Sequence, residues 1–268
     1  MLAVAYLAAG IAIWAEQRHF IFFPSEKIEL TPDAFGLKYE ELFIPVRDGT
    51  QSGRLFAWWI PADDPNAKVI LYLHGNGANV WANAEHAGRF HKMGYSVLLP
   101  DYRGYGRSSG GFPSEHTVYA DAEAVWQYLV RDRHLDPKRV VIYGHSLGGA
   151  IAVELAIRHP EAAGLITEST FTSVYEIAES QGLFRIFPLR LLLNQRFDSI
   201  HKVPGLKLPY LVLHGTGDRL IPYHMSEQIY GAAPQPKRLV LIPGGGHDTS
   251  AVAGGRLYSS AVRDFVGD

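Results

Sequence analysis

The sequence predicts a doubly wound α/β domain, in which helices cover both faces of a mostly parallel sheet. Short apolar stretches alternate along the chain with longer stretches of helical periodicity. Several apolar stretches are continuous, as expected for parallel strands that are buried on both faces. A third observation is a serine flanked by glycines, in the segment Gly144–Gly148, which stands between an apolar stretch and a helical one.

Eight strands are predicted from the apolar stretches. In chain order they are Tyr39–Val46, Arg54–Ile60, Lys68–Leu73, Tyr95–Leu99, Arg139–Tyr143, Gly164–Thr167, Tyr210–Leu213 and Arg238–Ile242. The intervening segments show helical periodicity and predict five helices, Val80–Met93, Val118–Arg133, Ala150–His159, His224–Tyr230 and Ala251–Phe265. After two opening strands, strand and helix alternate, which is typical of a doubly wound sheet.

Length and composition restrict the class of protein. The chain has 268 residues, 47% of them hydrophobic, so one large core can form without division into two globular units. A net charge of −2 gives no basic surface for nucleic acid, and the lack of cysteine excludes disulfides and thiol catalysis. No histidines and carboxylates show metal-ligand spacing, and no glycine motif has the spacing of a phosphate or dinucleotide loop. We therefore expect neither a metal nor a cofactor.

Ser146 is the candidate catalytic nucleophile. It lies in Gly144-His145-Ser146-Leu147-Gly148, directly after a predicted strand and before a predicted helix. Such a turn is tight and strained, so the residues two before and two after the serine must be nearly free of side chain. Gly144 and Gly148 meet this requirement. The motif therefore predicts a nucleophile elbow that presents the serine hydroxyl.

An acid and then a base follow the serine along the chain, which is the order usual for serine hydrolases with a nucleophile elbow. Asp218 ends the loop after the strand Tyr210–Leu213 and is the candidate acid. His247 follows the glycines after the next strand and is the candidate base. His247 would remove the serine proton, while Asp218 fixes the tautomer and stabilises the imidazolium.

Each of these residues has an alternative. Glu168 ends the strand before that of Asp218, and a carboxylate there can also reach a catalytic histidine; the order of elements favours Asp218. His145 adjoins the nucleophile but points away from it at an elbow. Asp248 adjoins His247 and is interpreted as a solvated loop carboxylate.

Two backbone N–H groups are the candidate oxyanion hole. The residue after the nucleophile, Leu147, normally supplies one of them. The second is expected from Asn76 in His74-Gly75-Asn76-Gly77, which follows an early strand and whose glycines leave room for a substrate carbonyl.

With these motifs in place, the chain resembles the α/β-hydrolases over nearly its whole length. Within them it is similar to a membrane-anchored branch of serine hydrolases that includes bacterial esterases and eukaryotic depalmitoylating thioesterases. Beyond the oxyanion and nucleophile motifs, the resemblance rests on three segments: 101–108 (DYRGYGRS), 194–200 (NQRFDSI) and 214–218 (HGTGD). It implies an α/β-hydrolase fold, a mostly parallel doubly wound sheet with a small helical lid.

The N-terminal segment departs from a bare hydrolase core. Residues 1–14 carry no charged side chain, and a helix of that length spans only ~21 Å, short of the ~30 Å hydrocarbon core of a bilayer. The resemblance implies an N-terminal anchor in residues 1–24, and we expect a membrane-associated, otherwise cytoplasmic protein. The alternatives are packing on the domain or a homodimer. Because every predicted strand lies further along the chain, the segment is expected not to take part in catalysis.

Residues 25–268 are the predicted catalytic domain, with a lid at residues 171–205. Apolar residues with interspersed arginines in this segment are typical of a roof over an acyl pocket, a surface resting on a bilayer, or an ordinary core helix. The candidate pocket and lid residues are Tyr105, Phe184, Phe187 and Leu191. For Tyr105, a structural role in a turn is the alternative.

These features predict a serine carboxylesterase of small-molecule ester or acyl substrates, acting through a covalent acyl-enzyme. Hydrolysis of acyl-thioesters by the same groups is the alternative reading. A serine peptidase and a non-catalytic binding protein are further alternatives, because specificity depends on the shape of the pocket rather than on the fold.

Overall fold

This computed structural model describes residues 1–49, 51–182 and 184–267. The central sheet lies among these residues. The strands are β1 (Phe23–Pro24), β2 (Glu40–Asp48), β3 (Gln51–Ile60), β4 (Val69–Leu73), β5 (Gly77–Ala78), β6 (Ser96–Pro100), β7 (Val140–His145), β8 (Gly164–Glu168), β9 (Tyr210–Gly215) and β10 (Lys237–Ile242). The helices are α1 (Leu2–Ile21), α2 (Ala84–Lys92), α3 (Glu115–Gln127), α4 (Leu147–Arg158), α5 (Val174–Ser180), α6 (Leu189–Leu192), α7 (Ser199–Lys202), α8 (His224–Ala232), α9 (Ser250–Gly254) and α10 (Arg256–Val266).

Eight of these strands form one sheet in the order β10-β9-β8-β7-β4-β6-β3-β2. The pairs β2–β3 and β3–β6 are antiparallel, and the remaining pairs are parallel. The predicted fold class, a mostly parallel doubly wound sheet, is therefore confirmed. Because β7 lies in the middle of the sheet, the residue that follows it emerges near the centre of the edge where the parallel strands end, the usual place for a site in such sheets.

Both faces of the sheet are covered, which explains the continuous apolar stretches. All five residues of β4 are buried. Leu71 faces a core cluster that includes Trp126 of α3 and Ala152 of α4. Its neighbour Tyr72 faces the opposite cluster, which includes Phe90 of α2. Neighbouring strand residues thus enter different cores, so no polar alternation is required.

Helix α1 is longer than the uncharged segment predicted from the sequence. It has 20 residues, about 30 Å, and only Gly10, Ile13 and Gln17 are buried. Across the described residues, no helix combines the length and the apolar character needed to cross a membrane. Directly after α1, strand β1 pairs with β5, so that Phe23 lies opposite Gly77 and the end of α1 is held beside the Asn76 loop.

The predicted lid lies between β8 and β9 and contains the short helices α5, α6 and α7. Leu183, at the start of its apolar stretch, lies outside the described residues. The segment packs against α1. The ring of Tyr6 stacks on Phe187 with centroids 4.9 Å apart, and the Tyr6 hydroxyl donates to the backbone oxygen of Ile186 at 2.7 Å.

Candidate active site

Ser146 occupies a strained turn between β7 and α4. Its backbone has φ 54° and ψ −121°, in the left-handed half of conformational space that costs a non-glycine residue about 1–3 kcal/mol. A side chain at Gly144 would collide with the carbonyl oxygen of Gly148, and one at Gly148 with that of Leu73. The two glycines of the motif are therefore required by close backbone approach, as the sequence indicated.

Neighbouring backbone holds this turn in place. The Ser146 N–H donates to the backbone oxygen of Glu168 at 2.9 Å, and the Thr170 hydroxyl donates to the backbone oxygen of Ser146 at 2.9 Å. Ser146 lines a cavity, and these two hydrogen bonds to residues at and after the end of β8 offset the strain of the turn.

Asp218 and His247 form a hydrogen-bonded pair. The Nδ1–H of His247 donates to Asp218 Oδ2 at 2.8 Å. Asp218 Oδ1 accepts the backbone N–H groups of Leu220 and Ile221, each at 2.9 Å. Burial favours a neutral carboxyl, but the hydrogen bonds from His214, His247 and Ile221 outweigh it and hold the pKa of Asp218 well below its usual range. Asp218 is therefore an anion that fixes the His247 tautomer with its proton on Nδ1.

Sequence reasoning missed a supporting residue, His214. Its Nε2 lies 3.2 Å from Asp218 Oδ2 and its Nδ1 lies 2.6 Å from the Ser226 hydroxyl, and the ring is fully buried. His214 stands at the end of β9, four residues before Asp218. In the sequence, the segment 214–218 (HGTGD) contributes only to the family resemblance. The four-residue separation of its first and last residues, His214 and Asp218, is the signal that indicates their contact.

His145 also contacts the loop of His247. Its Nε2–H donates to the backbone oxygen of His247 at 3.0 Å, and the two rings lie 5.0 Å apart. Among the described residues, the hydrogen bonds of His247 include none to the Ser146 hydroxyl. Such a bond is often long without substrate and shortens in the substrate complex.

The two candidate oxyanion residues both line the cavity that Ser146 faces. Leu147 opens α4, so its N–H is among the first four of the helix and has no acceptor within it. The side chain of Asn76 donates to the backbone oxygen of Ile21 at 2.9 Å, and the backbone oxygen of Asn76 accepts the Phe23 N–H at 2.9 Å. These bonds fix the orientation of the Asn76 peptide from α1 and β1.

The predicted pocket role of Tyr105 is wrong. Its ring is fully buried, and its hydroxyl donates to the backbone oxygen of Asn76 at 2.7 Å. Tyr105 is absent from the described residues that line the cavity. It braces the Asn76 loop from behind, because a buried phenol hydroxyl needs an acceptor and this carbonyl supplies one.

The cavity at Ser146 has a volume of about 340 Å³ and is mostly apolar. The described lining residues are Ile13, Gln17, Phe20, Ile21, Phe23, Asn76, Ser146, Leu147, Phe171, Val174, Ile177, Ala178, Gln181, Phe184, Leu189, Leu193, Leu220 and Ile221. None of them carries a charge. The lining comes from three places: α1, the lid and the segments that hold the catalytic residues.

The lid residues predicted from the sequence separate into three positions. Phe184 lines the cavity. Phe187 lies instead between α1 and the lid, in a second cavity of about 220 Å³. Leu191 is 83% exposed and touches neither cavity, so its predicted pocket role is wrong. On the short helix α6 the buried side chain is Leu189, two positions earlier, and Leu191 lies on the outer face.

Helix α1 forms part of the cavity wall, a position that the sequence did not indicate. Gln17, only 3% exposed, joins it to the lid. Its Nε2 donates to the backbone oxygen of Leu192 at 2.7 Å, and its Oε1 accepts the N–H groups of Asn194 and Gln195 at 2.8 and 3.2 Å. Since these groups would otherwise be partly buried without partners, Gln17 stabilises the closed arrangement of helix and lid.

Glu168, the alternative acid, is engaged elsewhere. It is fully buried, and its Oε2 accepts the hydroxyls of Tyr143 and Tyr258 at 2.7 and 2.6 Å. Burial opposes ionisation, but interactions with His86 and His145 and the two hydroxyls outweigh it and lower the pKa of Glu168. The structure brings His247 to Asp218, whereas Glu168 is bonded to Tyr143 and Tyr258 in the core.

Comparison with known proteins adds family relationships. Residues 64–200, half of the chain, match the family described as serine aminopeptidase, S33. A Mycobacterium tuberculosis protein, Rv2307c, is 36% identical over 98% of this chain and 92% of its own length. The Escherichia coli protein YfhR is 30% identical over 97% of this chain and 89% of its own. Both carry the description "uncharacterized protein".

Solved structures with the same fold include esterases. The Pyrococcus furiosus esterase Pf2001 superposes with a TM-score of 0.75 at 20% identity, covering 92% of this chain and 97% of that one. An α/β-hydrolase from Vibrio vulnificus gives a TM-score of 0.69 at 26% identity, over 83% and 80% of the two chains.

Proposed function

The chain belongs to the serine aminopeptidase S33 family of α/β-hydrolases, and from this membership and the site geometry we propose that it is a serine carboxylesterase of apolar acyl esters. One observation carries the proposal. Ser146 opens onto a mostly apolar cavity of about 340 Å³, and at the same edge of the sheet His247 is paired with a buried carboxylate at 2.8 Å. An acyl chain fits such a cavity because its burial needs no polar partner.

The reaction proceeds through an acyl-enzyme. His247 Nε2 accepts the Ser146 proton as Oγ attacks the ester carbonyl, and the N–H groups of Leu147 and Asn76 bind the oxyanion. The C–O bond then breaks, and the proton passes from His247 to the departing alcohol. Water repeats the sequence on the acyl-serine, losing a proton to His247 and releasing the carboxylic acid and Ser146. Asp218 stays ionised throughout and stabilises the imidazolium.

The lining of the cavity favours this reaction over aminopeptidase action. An aminopeptidase must bind the free ammonium group of its substrate, which in an apolar site requires a carboxylate or comparable acceptors. No charged side chain occurs among the described lining residues. Thioesters share the same chemistry and the same acyl portion, so an acyl-thioesterase is the second candidate on the strength of the apolar cavity.

Two measurements test the proposal. A fluorophosphonate probe is expected to label the wild-type protein at Ser146, to fail with Ser146→Ala, and to label Ser52→Ala, an exposed-serine control, as wild type. Hydrolysis is then compared across p-nitrophenyl esters of rising chain length, an acyl-thioester and an aminoacyl p-nitroanilide. We expect the esters to be cleaved with the highest kcat/KM. Preference for the anilide would refute the esterase assignment.

We also propose that the outer surface of α1 and the lid rests on a lipid bilayer. Leu2, Leu7, Ile11 and Trp14 are exposed on α1, and a helical stretch that is apolar on all sides, as residues 2–15 are, normally has every side covered. Phe20 and Phe184 are exposed and also line the cavity, so the apolar surface continues inward to Ser146.

Charge on the lid indicates the kind of bilayer. Arg185 and Arg190 are exposed beside the exposed Ile186 and Leu191. Arginines that flank an apolar surface attract anionic lipid headgroups. Flotation with phosphatidylglycerol-containing vesicles is expected to carry the wild-type protein, and Ile11→Glu to reduce its binding. Light scattering runs in parallel: a dimer that Ile11→Glu dissociates would show that a second copy covers the surface and would overturn the lipid proposal.

A further inference from the structure

Three side chains next to the catalytic site have potential ligand atoms close together. His145, His247 and Asp248 each offer one such atom, and all three atoms lie within 4.8 Å of one another. His145 and Asp248 also line a small, mainly polar cavity of about 210 Å³. Sequence spacing gave no indication of this group, because His145 precedes the nucleophile and the other two residues follow β10, about a hundred positions later.

We propose that His145, His247 and Asp248 bind a divalent transition metal ion, with Zn²⁺ as the type case, and that the bound ion blocks the hydrolase. The second half of this statement rests on the proposed function, whereas the binding itself does not. Two imidazoles and one carboxylate are a common ligand set for zinc, with water as the fourth ligand.

His247 is already oriented as zinc ligands are. Metal-binding histidines usually donate their other ring N–H to a carboxylate, which fixes the tautomer and raises the basicity of the ligating nitrogen. The Nδ1–H of His247 donates to Asp218 at 2.8 Å. Its Nε2 therefore carries the free lone pair, the same one that accepts the Ser146 proton in catalysis.

His145 supplies a second imidazole. Its side chain is buried, and its ring lies 5.0 Å from that of His247. Its Nε2–H now donates to the backbone oxygen of His247 at 3.0 Å. For Nε2 to bind the ion, its proton moves to Nδ1 by exchange with solvent, and the bond to the carbonyl is lost. This loss makes the site weaker than one built only for metal.

Asp248 gives the ion a path from solvent. Its side chain is 81% exposed and its Oδ1 lies 3.8 Å from His145 Nε2. Ligand atoms around a tetrahedral zinc lie about 3.4 Å apart, given bonds of ~2.0–2.1 Å. An exposed carboxylate can close the remaining gap by rotation. Because one hydrogen bond is lost and one loop side chain is ordered, we expect a Kd in the range of about 1–100 µM.

The consequence for activity follows from the shared lone pair. A metal ion on His247 Nε2 prevents that atom from accepting the Ser146 proton, so acylation stops. Removal of the ion by a chelator restores the lone pair. Inhibition is therefore reversible and depends on His145 and Asp248, two residues outside the reaction itself.

Isothermal titration calorimetry with Zn²⁺ tests the site without reference to activity. The variants are Asp248→Asn, His145→Asn and, as a matched control, His201→Asn, whose exposed imidazole pairs with Asp198 at 2.8 Å on the lid. We expect one site on the wild-type protein, about ten-fold or greater loss of affinity in the first two variants, and no change at this site in the control. Equal affinity in all four proteins, or no binding at about 1 mM Zn²⁺, would overturn the proposal.

Asp248→Asn keeps the test decisive if His145→Asn does not fold, because Asp248 is exposed. Esterase inhibition by Zn²⁺ is then measured, with each variant normalised to its own activity in EDTA. The concentration for half-inhibition is expected to rise about ten-fold in Asp248→Asn and to stay unchanged in His201→Asn. Zinc that binds at the site by calorimetry and leaves ester hydrolysis intact would overturn the inhibitory role. A protein without esterase activity would still answer the binding question.

Discussion

Asp218 and Glu168 are the two candidates for the catalytic acid, and we expect substitution of the first to reduce catalysis and substitution of the second to reduce stability. In Asp218→Asn, the amide can donate to His247 Nδ1, which stabilises the tautomer with its proton on Nε2. That tautomer cannot accept the Ser146 proton. We expect kcat to fall by about 10⁴-fold while the fold is retained. Leu220 and Ile221 can still donate to the amide oxygen, because their bonds at 2.9 Å need only an acceptor.

Glu168→Gln is expected to lower the stability of the fold and to leave most of the activity. A glutamine oxygen at the place of Oε2 keeps both tyrosine hydroxyls, whereas the amide nitrogen replaces Oε1, which is buried and has no hydrogen-bond partner among the described residues. A buried donor without an acceptor costs about 1–3 kcal/mol. For a chain of this size the melting temperature should fall by about 2–12 °C. Activity at 25 °C should stay within about ten-fold of wild type, because Asp218 still holds His247.

The assay combines ester hydrolysis at 25 °C with thermal unfolding followed by circular dichroism. The reasoning is refuted if folded Glu168→Gln loses more than about 10³-fold in kcat while Asp218→Asn keeps more than a tenth of wild-type turnover. That ranking would move the catalytic acid to Glu168. Loss of activity in both variants, with both melting normally, would show that the two carboxylates act as one network.

Three further predictions follow from the same site. Ser146→Ala and His247→Ala should each lower kcat by about 10⁴-fold or more, and the double variant should lose little beyond either one, as ester kinetics will show. Gln17→Ala should lower the melting temperature by several degrees and reduce kcat/KM for long-chain esters more than for acetate, whereas the exposed neighbour Glu16→Ala should change neither. The pKa of Asp218 is lower in the folded than in the unfolded protein, so its contribution to stability is complete above the unfolded value of about 3.9 and is lost as pH falls through the folded value. In urea unfolding, Asp218→Asn should therefore have a lower free energy of unfolding than wild type. The difference should be independent of pH above about pH 5 and should shrink below about pH 4.

The strands were predictable because burial on both faces leaves a plain signal in the chain. Each of the eight predicted strands is present, with boundaries that differ by at most three residues. Helix starts were harder. The sequence predicts that α3 begins at Val118, but it begins at Glu115. There the Ser114 hydroxyl accepts the Thr117 N–H, and the Thr117 hydroxyl accepts the Ser114 backbone N–H. Capping turns are polar, so apolar periodicity cannot detect them.

One predicted helix is two. The periodicity of Ala251–Phe265 is continuous, but the structure divides it into α9 and α10 at Gly255, where φ is 45°. A glycine can adopt that conformation without steric cost, and the turn lets α10 bury Tyr258 and Val262 on the sheet. Gly254 and Gly255 were the available signal, since two adjacent glycines are rare inside a continuous helix.

The candidate catalytic residues were accessible to sequence reasoning because each follows a strand at the same edge of the sheet. The structure pairs two of them, Asp218 and His247, at 2.8 Å. Tyr105 and Leu191 were not, because an aromatic or leucine side chain looks the same whether it lines a cavity, braces a loop or faces solvent. Only the backbone around each residue decides which way it points, and that depends on contacts distant in sequence.

Helix α1 shows how far this ambiguity extends. An apolar segment satisfies a bilayer, a second subunit or a cavity wall equally well, so residues 1–14 alone could not decide among them. The informative residue is Gln17, because a polar side chain inside an apolar helix must find partners if it is buried. Its partners lie about 175 positions away, at Leu192 and Asn194. The helix is therefore joined to the lid by one face, which also lines the cavity at Ser146, while its opposite face stays exposed.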